Sequence, residues 1–433
     1  MAPSVPAIAT QDISETSIND WQYVSEGGAT IVFTYQGPSH PSFNGTVLRL
    51  RKHAHSLVPS DPAPEQEEPD DPMIEFQRRI IGRLIAPDFL VHLQVVRLDS
   101  TWINEFHAIH DDSRPAERRK VDTIDLTKRK AVLATDLVGG RGCAVEIKPK
   151  WGFLPFPAHL SPESASIKTR TCRTCMHTHL RQAKGEPAAS DYCPLDLFSG
   201  SEERITRAIH SLWATWVESG GAVNNLRIFS NGKMLKPDDG EALDGWSAQL
   251  FGSAPGTSLD RLLPLFTATL LPLLVDTPVL GKLSTLQRTL DALDREGFVE
   301  LQGGERPPLD STPDEPALDE WSAFVDAFTS SHEAKDHARP DPSDLRYYTL
   351  AYLLSATFKD CSLIVRLPFD SAQTPIVKVI DLDMKSVAKI RRWEELDEKI
   401  VESYAKVDES VRKRCTDAWA RLSDSEDASK REA

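Results

Sequence analysis

A mixed α/β (α+β) fold in two lobes is the architecture this sequence predicts, and three observations carry it. The chain has 433 residues, more than one ordinary compact core holds, so two lobes are expected. Short alternating strand patterns are interleaved with longer helical ones along its length. The apolar run Ala131 to Leu137 leads into Gly139–Gly140, a glycine pair suited to a hinge between lobes.

Taken in order, residues 1–20 read as a disordered tail. An N-terminal lobe is expected over 21–139 and a C-terminal lobe over 140–419, followed by a polar tail at 420–433. Trp21 to Phe33 predicts strand, glycine turn, strand. In it Glu26, Gly27, Gly28 and Ala29 form a turn small enough for backbone N–H groups to approach a nucleotide's phosphates; a Gly-Gly hairpin without a ligand has the same signature. Gly45 to Arg51 alternates as a strand, so Arg49 and Arg51 share one face. Segment 56–72 carries six acids and no base, marking an exposed insertion. The strand Ala131 to Leu137 holds one polar acceptor of note, Asp136, a candidate contact for a nucleotide base.

Val145–Glu146–Ile147–Lys148–Pro149–Lys150 alternates as a strand and is stopped by its proline. Two ammonium groups at the end of a rigid element suit a ligand with several phosphates, although a solvated strand end also fits. From Arg141 to Lys184 there are eight Lys/Arg against two acids, a basic middle in a chain of formal net charge -15. If 167–181 is helical, Cys172, Cys175 and His179 fall on one side and His177 and Arg181 on the other. The first set, with Cys193, has zinc-ligand chemistry; two buried thiols and surface histidines are the alternative, and His177 competes with His179 as ligand. The second set suits a phosphate.

Arg204 to Trp216 predicts a helix, and Asn224–Asn225–Leu226–Arg227 turns from loop to strand. Two amides beside an arginine can share hydroxyl and phosphate recognition, or form an ordinary turn. Leu259 to Leu293 reads as helical, broken at its prolines, and 302–316 as a second acidic insertion. Tyr347 to Phe358 predicts an apolar helix leading through Asp360 into the strand Leu363 to Leu367. Ile376 to Asp383 predicts another strand, whose period of two puts Asp381 and Asp383 on one face. Lys385, Lys389 and Trp393 then form one stripe of a helix.

The net charge argues against general nucleic-acid or anionic-membrane binding. With no basic n-region, no long uninterrupted apolar run and six cysteines, the expectation is an intracellular protein with reduced thiols or a metal site.

The ordered set EGGA, VLRLRK, EIKPKWGFLP, CRTCMHTHLR, YCPLDLFSG, NNLRIFSNGK, KDCSLI and KVIDLDMKSVAKI resembles the inositol-pentakisphosphate 2-kinases, most closely their fungal members. The resemblance implies a two-lobed inositol phosphate kinase fold, distantly protein-kinase-like, with an enlarged C-terminal lobe. It implies transfer of the γ-phosphate of ATP to the 2-hydroxyl of inositol 1,3,4,5,6-pentakisphosphate, giving the hexakisphosphate (phytate). Asp360 resembles the catalytic aspartate, and Lys148 takes a catalytic share. Asp381, with Asp383, resembles the magnesium site. Glu26, Gly27, Gly28, Ala29 and Arg49 match the nucleotide side. Lys148, Lys150, His177, Arg181, Asn224, Asn225, Arg227, Lys385, Lys389 and Trp393 match the inositide side. ATP, Mg2+ and a structural Zn2+ are the expected cofactors, zinc being inferred for this branch from Cys172, Cys175, His179 and Cys193. The expected protein is a monomer, nuclear or cytoplasmic, without nucleic-acid or membrane partners. The rival reading is a scaffold that binds inositol polyphosphates without turnover.

Overall fold

The computed structural model describes residues 11–55, 68–140, 142–188, 191–304, 314–330, 335–369 and 374–419. Most of the first acidic insertion (56–67) and of the second (305–313) lies outside the described residues, as do 1–10 and 420–433. Helices and strands mix as expected for the α/β class. The chain packs as two units, one of 1–78, 91–143 and 229–233, the other of 79–90, 144–228 and 234–433.

The first unit is built on one sheet ordered Gln11–Asp12, Leu93–Arg97, Lys130–Thr135, Thr46–Ala54, Thr30–Tyr35, Trp21–Glu26, with Asp122–Ile124 on the end of Thr46–Ala54. Trp21–Glu26 and Thr30–Tyr35 pair antiparallel, so Gly27, Gly28 and Ala29 make the hairpin turn. Ile31, Phe33, Leu48, Leu50, Val96 and Leu133 point into a core closed by Trp102, Ile103 and Phe106 of helix Ser100–His110. Residues 11–20 are not a loose tail. Ile13 is fully buried in that core, Asp12 caps a short 3-10 turn, and Gln11–Asp12 extends the sheet. One apolar anchor in a polar stretch is enough to order it. The end of the acidic segment is likewise ordered by charge: Asp71 takes Arg51 through two hydrogen bonds of 2.8 Å, and Asp70 takes Lys130 at 2.9 Å.

The second sheet runs Lys233–Met234, Leu226–Ser230, Cys143–Ile147, Ser362–Leu367, Ile376–Ile380, the last two antiparallel. Leu259–Asp276 is one continuous helix, with Pro264 and Pro272 inside it rather than at breaks. Both prolines lie on its exposed side, while Leu262, Phe266, Leu270 and Leu274, four apart, bury the other against Trp213 and Trp246. Burial of that face outweighs the hydrogen bonds that proline removes. No single helix among the described residues is long and apolar enough to cross a membrane.

Candidate active site

The strand Cys143–Ile147 is entirely buried, and the chain leaving it carries both lysines of the EIKPK motif. Asn225 braces the exit twice: its carbonyl accepts the Lys148 N–H at 3.0 Å, and its amide donates to the Lys148 carbonyl at 3.2 Å. Asn225 is thus partly structural, while the exposed Asn224 presents its own amide. Lys150 has φ 67, a left-handed conformation that a side chain other than glycine rarely adopts. Its ammonium makes no ion pair among the described residues; burial pulls its pKa down, the charge of Asp360 works against this, and the like charge of Lys148 adds to it.

Lys150 opens onto a cavity of about 310 Å3 in the second unit. Helix Arg173–Ala183 contributes Arg173, His177 and Arg181, a stripe at intervals of four. Helix Leu345–Asp360 contributes Lys359 and, at its last residue, Asp360. Asn224, Asn225, Lys385 and Trp393, all expected from sequence, line it too, as do Trp151, Asp291, Asp294, Arg295, Tyr352 and Asp397. Burial would raise the Asp360 carboxyl, but the hydrogen bond and charge of Lys385, at 2.7 Å, and the charges of Lys150 and Lys148 hold it below its ordinary value. Burial, then Arg173, Arg181 and Lys150, push His177 down to about 4.

Lys148 and Arg227 do not line the cavity. Lys148 reaches Asp381 at 3.5 Å, and Arg227 reaches the buried Glu146 at 3.4 Å. Ser362 bridges these two carboxylates, donating over 3.1 Å to Asp381 or 3.0 Å to Glu146. The strand ends at Ile380, because Asp381 takes a left-handed backbone with φ 60. Asp381 and Asp383 therefore do not share a strand face. Residues 381–386 are loop, a 3-10 turn covers Val387–Lys389 and the α-helix starts only at Ile390, so Lys385, Lys389 and Trp393 form no common stripe. Lys385 and Trp393 still converge on the cavity, while Lys389 is exposed outside it.

In the first unit, Glu26 is spent on structure: its buried Oε2 takes Lys52 at 2.6 Å and Arg114 at 2.8 Å. The carboxylate of Asp136 is likewise held, by Thr34 and by the N–H groups of Val138 and Gly139. A Cβ on Gly139 would strike Asp136 and Thr34, so close packing explains that glycine. A Cβ on Gly27 or Gly28 would meet nothing within 4 Å. Arg51 being taken by Asp71, Arg49 is the arginine left on that face, and its buried Nε has no hydrogen-bond partner.

Four thiols that do not line the cavity gather in a second cluster. The Sγ atoms of Cys172, Cys175, Cys193 and Cys415 all lie within 4.8 Å of one another, and Cys172–Cys193, Cys193–Cys415 and Cys175–Cys415 are each 3.8 Å apart. The fourth member is Cys415, not His179. Cys172 caps the helix instead of lying within it, and His179 turns to the ring of Tyr404, 5.6 Å away. Cys415 carried no sequence signal because it stands 222 residues beyond Cys193. Arg173 and Lys359 did carry one, each adjacent to a residue already singled out, Cys172 and Asp360. Arg295 carried none.

Comparison with known proteins agrees in one direction. The sequence model described as Inositol-pentakisphosphate 2-kinase matches residues 23–399. A protein of that name from Cryptococcus neoformans is 37% identical over 91% of this chain and 95% of its own length. Relatives of the same name from Oryza sativa and Arabidopsis thaliana are 29% and 28% identical, covering 91% and 90% of this chain and 95% and 94% of theirs. A match that begins in the glycine hairpin, takes in the whole lysine, histidine and aspartate constellation and ends within the last long helix places this chain in the inositol-pentakisphosphate 2-kinase family.

Proposed function

We propose that this protein transfers the γ-phosphate of ATP to the 2-hydroxyl of inositol 1,3,4,5,6-pentakisphosphate, forming inositol hexakisphosphate. The observation that carries the reading is the cavity of about 310 Å3 into which Lys150, Arg173, His177, Arg181 and Lys385 converge beside Asp360. Its size lies within the range of ligand pockets, about 300–1,000 Å3. A pentakisphosphate brings roughly eight to ten negative charges at neutral pH, and separated cations can each meet a different phosphate.

Asp360 orients the 2-hydroxyl and accepts its proton. It is ionised in the free protein because Lys385 holds it so, and a substrate phosphate competes for that lysine. Lys150 receives a phosphate without first giving up an ion pair, and Lys148 neutralises the group in transfer. The first unit serves the nucleotide: the open glycine turn at Gly27–Gly28 and the unpartnered Nε of Arg49 suit phosphate oxygens, while Glu26 and Asp136 hold the frame. Asp381, whose carboxylate is 42% exposed, offers the hard oxygen donors magnesium requires, with Asp383 nearby. Bound there, magnesium supplies charge neutralisation on the nucleotide's phosphates. The four cysteines suit zinc: a tetrahedral site with Zn–S of about 2.3 Å has sulfurs roughly 3.8 Å apart, the separation of three of the six pairs here, and all six lie within 4.8 Å.

Incubation with ATP, magnesium and the pentakisphosphate tests the reading. Formation of the hexakisphosphate supports it; tight binding with no product would make the protein a scaffold. Lys150→Ala should weaken the inositide by about ten- to a hundredfold, the worth of one charge-assisted hydrogen bond, with ATP affinity little changed. Equal losses for both ligands would move Lys150 to the nucleotide side. His177 gives a pH prediction. Held down to about 4, it is neutral near pH 7, and a polyanion beside it raises its pKa. The bound state then carries more protons than the free one, so affinity rises as pH falls toward the bound-state pKa. Calorimetry in buffers of different ionisation enthalpy should show more proton uptake by wild type than by His177→Asn, and equal uptake would refute the role.

A further inference from the structure

Gln287, a residue of helix Pro278–Leu290, is fully buried and uses its whole side-chain amide on two other segments. Its Oε1 accepts the Gly152 N–H at 2.7 Å, while its Nε2 donates to the Lys150 carbonyl at 3.1 Å and to the Phe358 carbonyl at 2.9 Å. Two neighbouring hydroxyls reinforce the joint. Ser284 donates to the Gly152 carbonyl at 2.6 Å, and Ser355 donates to the Gln287 carbonyl at 2.8 Å.

The two segments are the ones on which the proposed chemistry depends. Lys150 sits in a left-handed backbone, φ 67, which costs free energy and persists only where neighbours over-determine it. Its carbonyl is one of the groups held. Phe358 stands two residues before Asp360, and its carbonyl is another. Asp360 and Lys150 are near enough for the carboxylate and the ammonium each to feel the other's charge. A buried amide is costly unless its donors and acceptor are paired, and here two donors and one acceptor are all engaged. No apolar residue could make these bonds, and glutamate would lack both donors.

We propose that Gln287 is a positioning residue of the phosphoryl-transfer reaction, setting the distance between the strained loop that carries Lys150 and the helix end that carries Asp360. The inference rests on the inositide reading of the cavity. Gln287 touches no reacting atom and acts through the two backbones it joins.

The test uses full-length Gln287→Glu and Gln287→Leu beside Leu286→Ala, a buried neighbour in the same helix that tests plain core loosening. Misplacement of reacting groups by about an ångström costs on the order of a hundredfold. Both Gln287 variants should therefore lose about that much in kcat/KM for the pentakisphosphate, through a lower kcat and a higher inositide KM, with KM for ATP unchanged. Leu286→Ala should lower Tm comparably without this split. Calorimetric titration with the pentakisphosphate reads the same displacement without turnover, so a wild type that binds but forms no product sinks the functional reading and leaves this one measurable. Gln287 variants with wild-type constants, with losses that track Tm as in Leu286→Ala, or both unable to fold, would make Gln287 an ordinary core residue and overturn the proposal.

Discussion

Asp360→Ala is expected to lower kcat by about a thousandfold, within the range of roughly 10²–10⁴ for a positioned proton acceptor, while the pentakisphosphate still binds. The expectation follows from the Lys385–Asp360 pair, 2.7 Å apart. On the proposed reading, removing the carboxylate removes the acceptor and also releases an ammonium group into the cavity assigned to the inositide. Inositide affinity should therefore hold or tighten as turnover collapses, a combination that general damage to the site would not produce. Asp360→Asn keeps the shape without the charge and should be nearly as slow. Single-turnover rates and direct titration separate the two effects; an Asp360→Ala protein with ordinary kcat would remove this residue from the chemistry.

The second large effect concerns stability. Cys172→Ser combined with Cys175→Ser should lose bound zinc and much of the folding free energy together, because a site absent from the unfolded chain returns its binding free energy to folding, about 10–16 kcal/mol for small zinc modules near pH 7. That is comparable with the whole of the ordinary stability margin of about 5–15 kcal/mol. Cys415→Ser should follow the double variant, and His179→Ala should leave metal content unchanged. Elemental analysis of the wild type comes first: protein without zinc, and without any other bound metal, would leave the four thiols as a buried cluster.

Local pattern made much of this site legible. The EIKPK strand end, the stripe of His177 and Arg181, and Asp360 at a helix-to-strand junction all follow from periodicity over a few residues, and the structure places them around one cavity or beside it. Three misreadings have causes of their own. A single left-handed residue, Asp381, ended a strand that alternation alone would have carried to Asp383. The helix after it begins at Ile390, so a spacing of four at 385 and 389 had no helix to act on. Cys415 could be matched to Cys172 only by knowing the tertiary fold. At the amino end, Ile13 shows the converse: one side chain's burial orders a stretch whose average composition reads as tail.

The long separation of Cys415 from its partners bears on how the protein is made. Three of the thiols leave the ribosome within a short interval, whereas the fourth follows 222 residues after Cys193. At about 5–20 residues per second of synthesis, the first three wait roughly ten to forty-five seconds for it. An oxidant reaching the nascent chain in that window would join two of them covalently, and the latecomer would find its place taken.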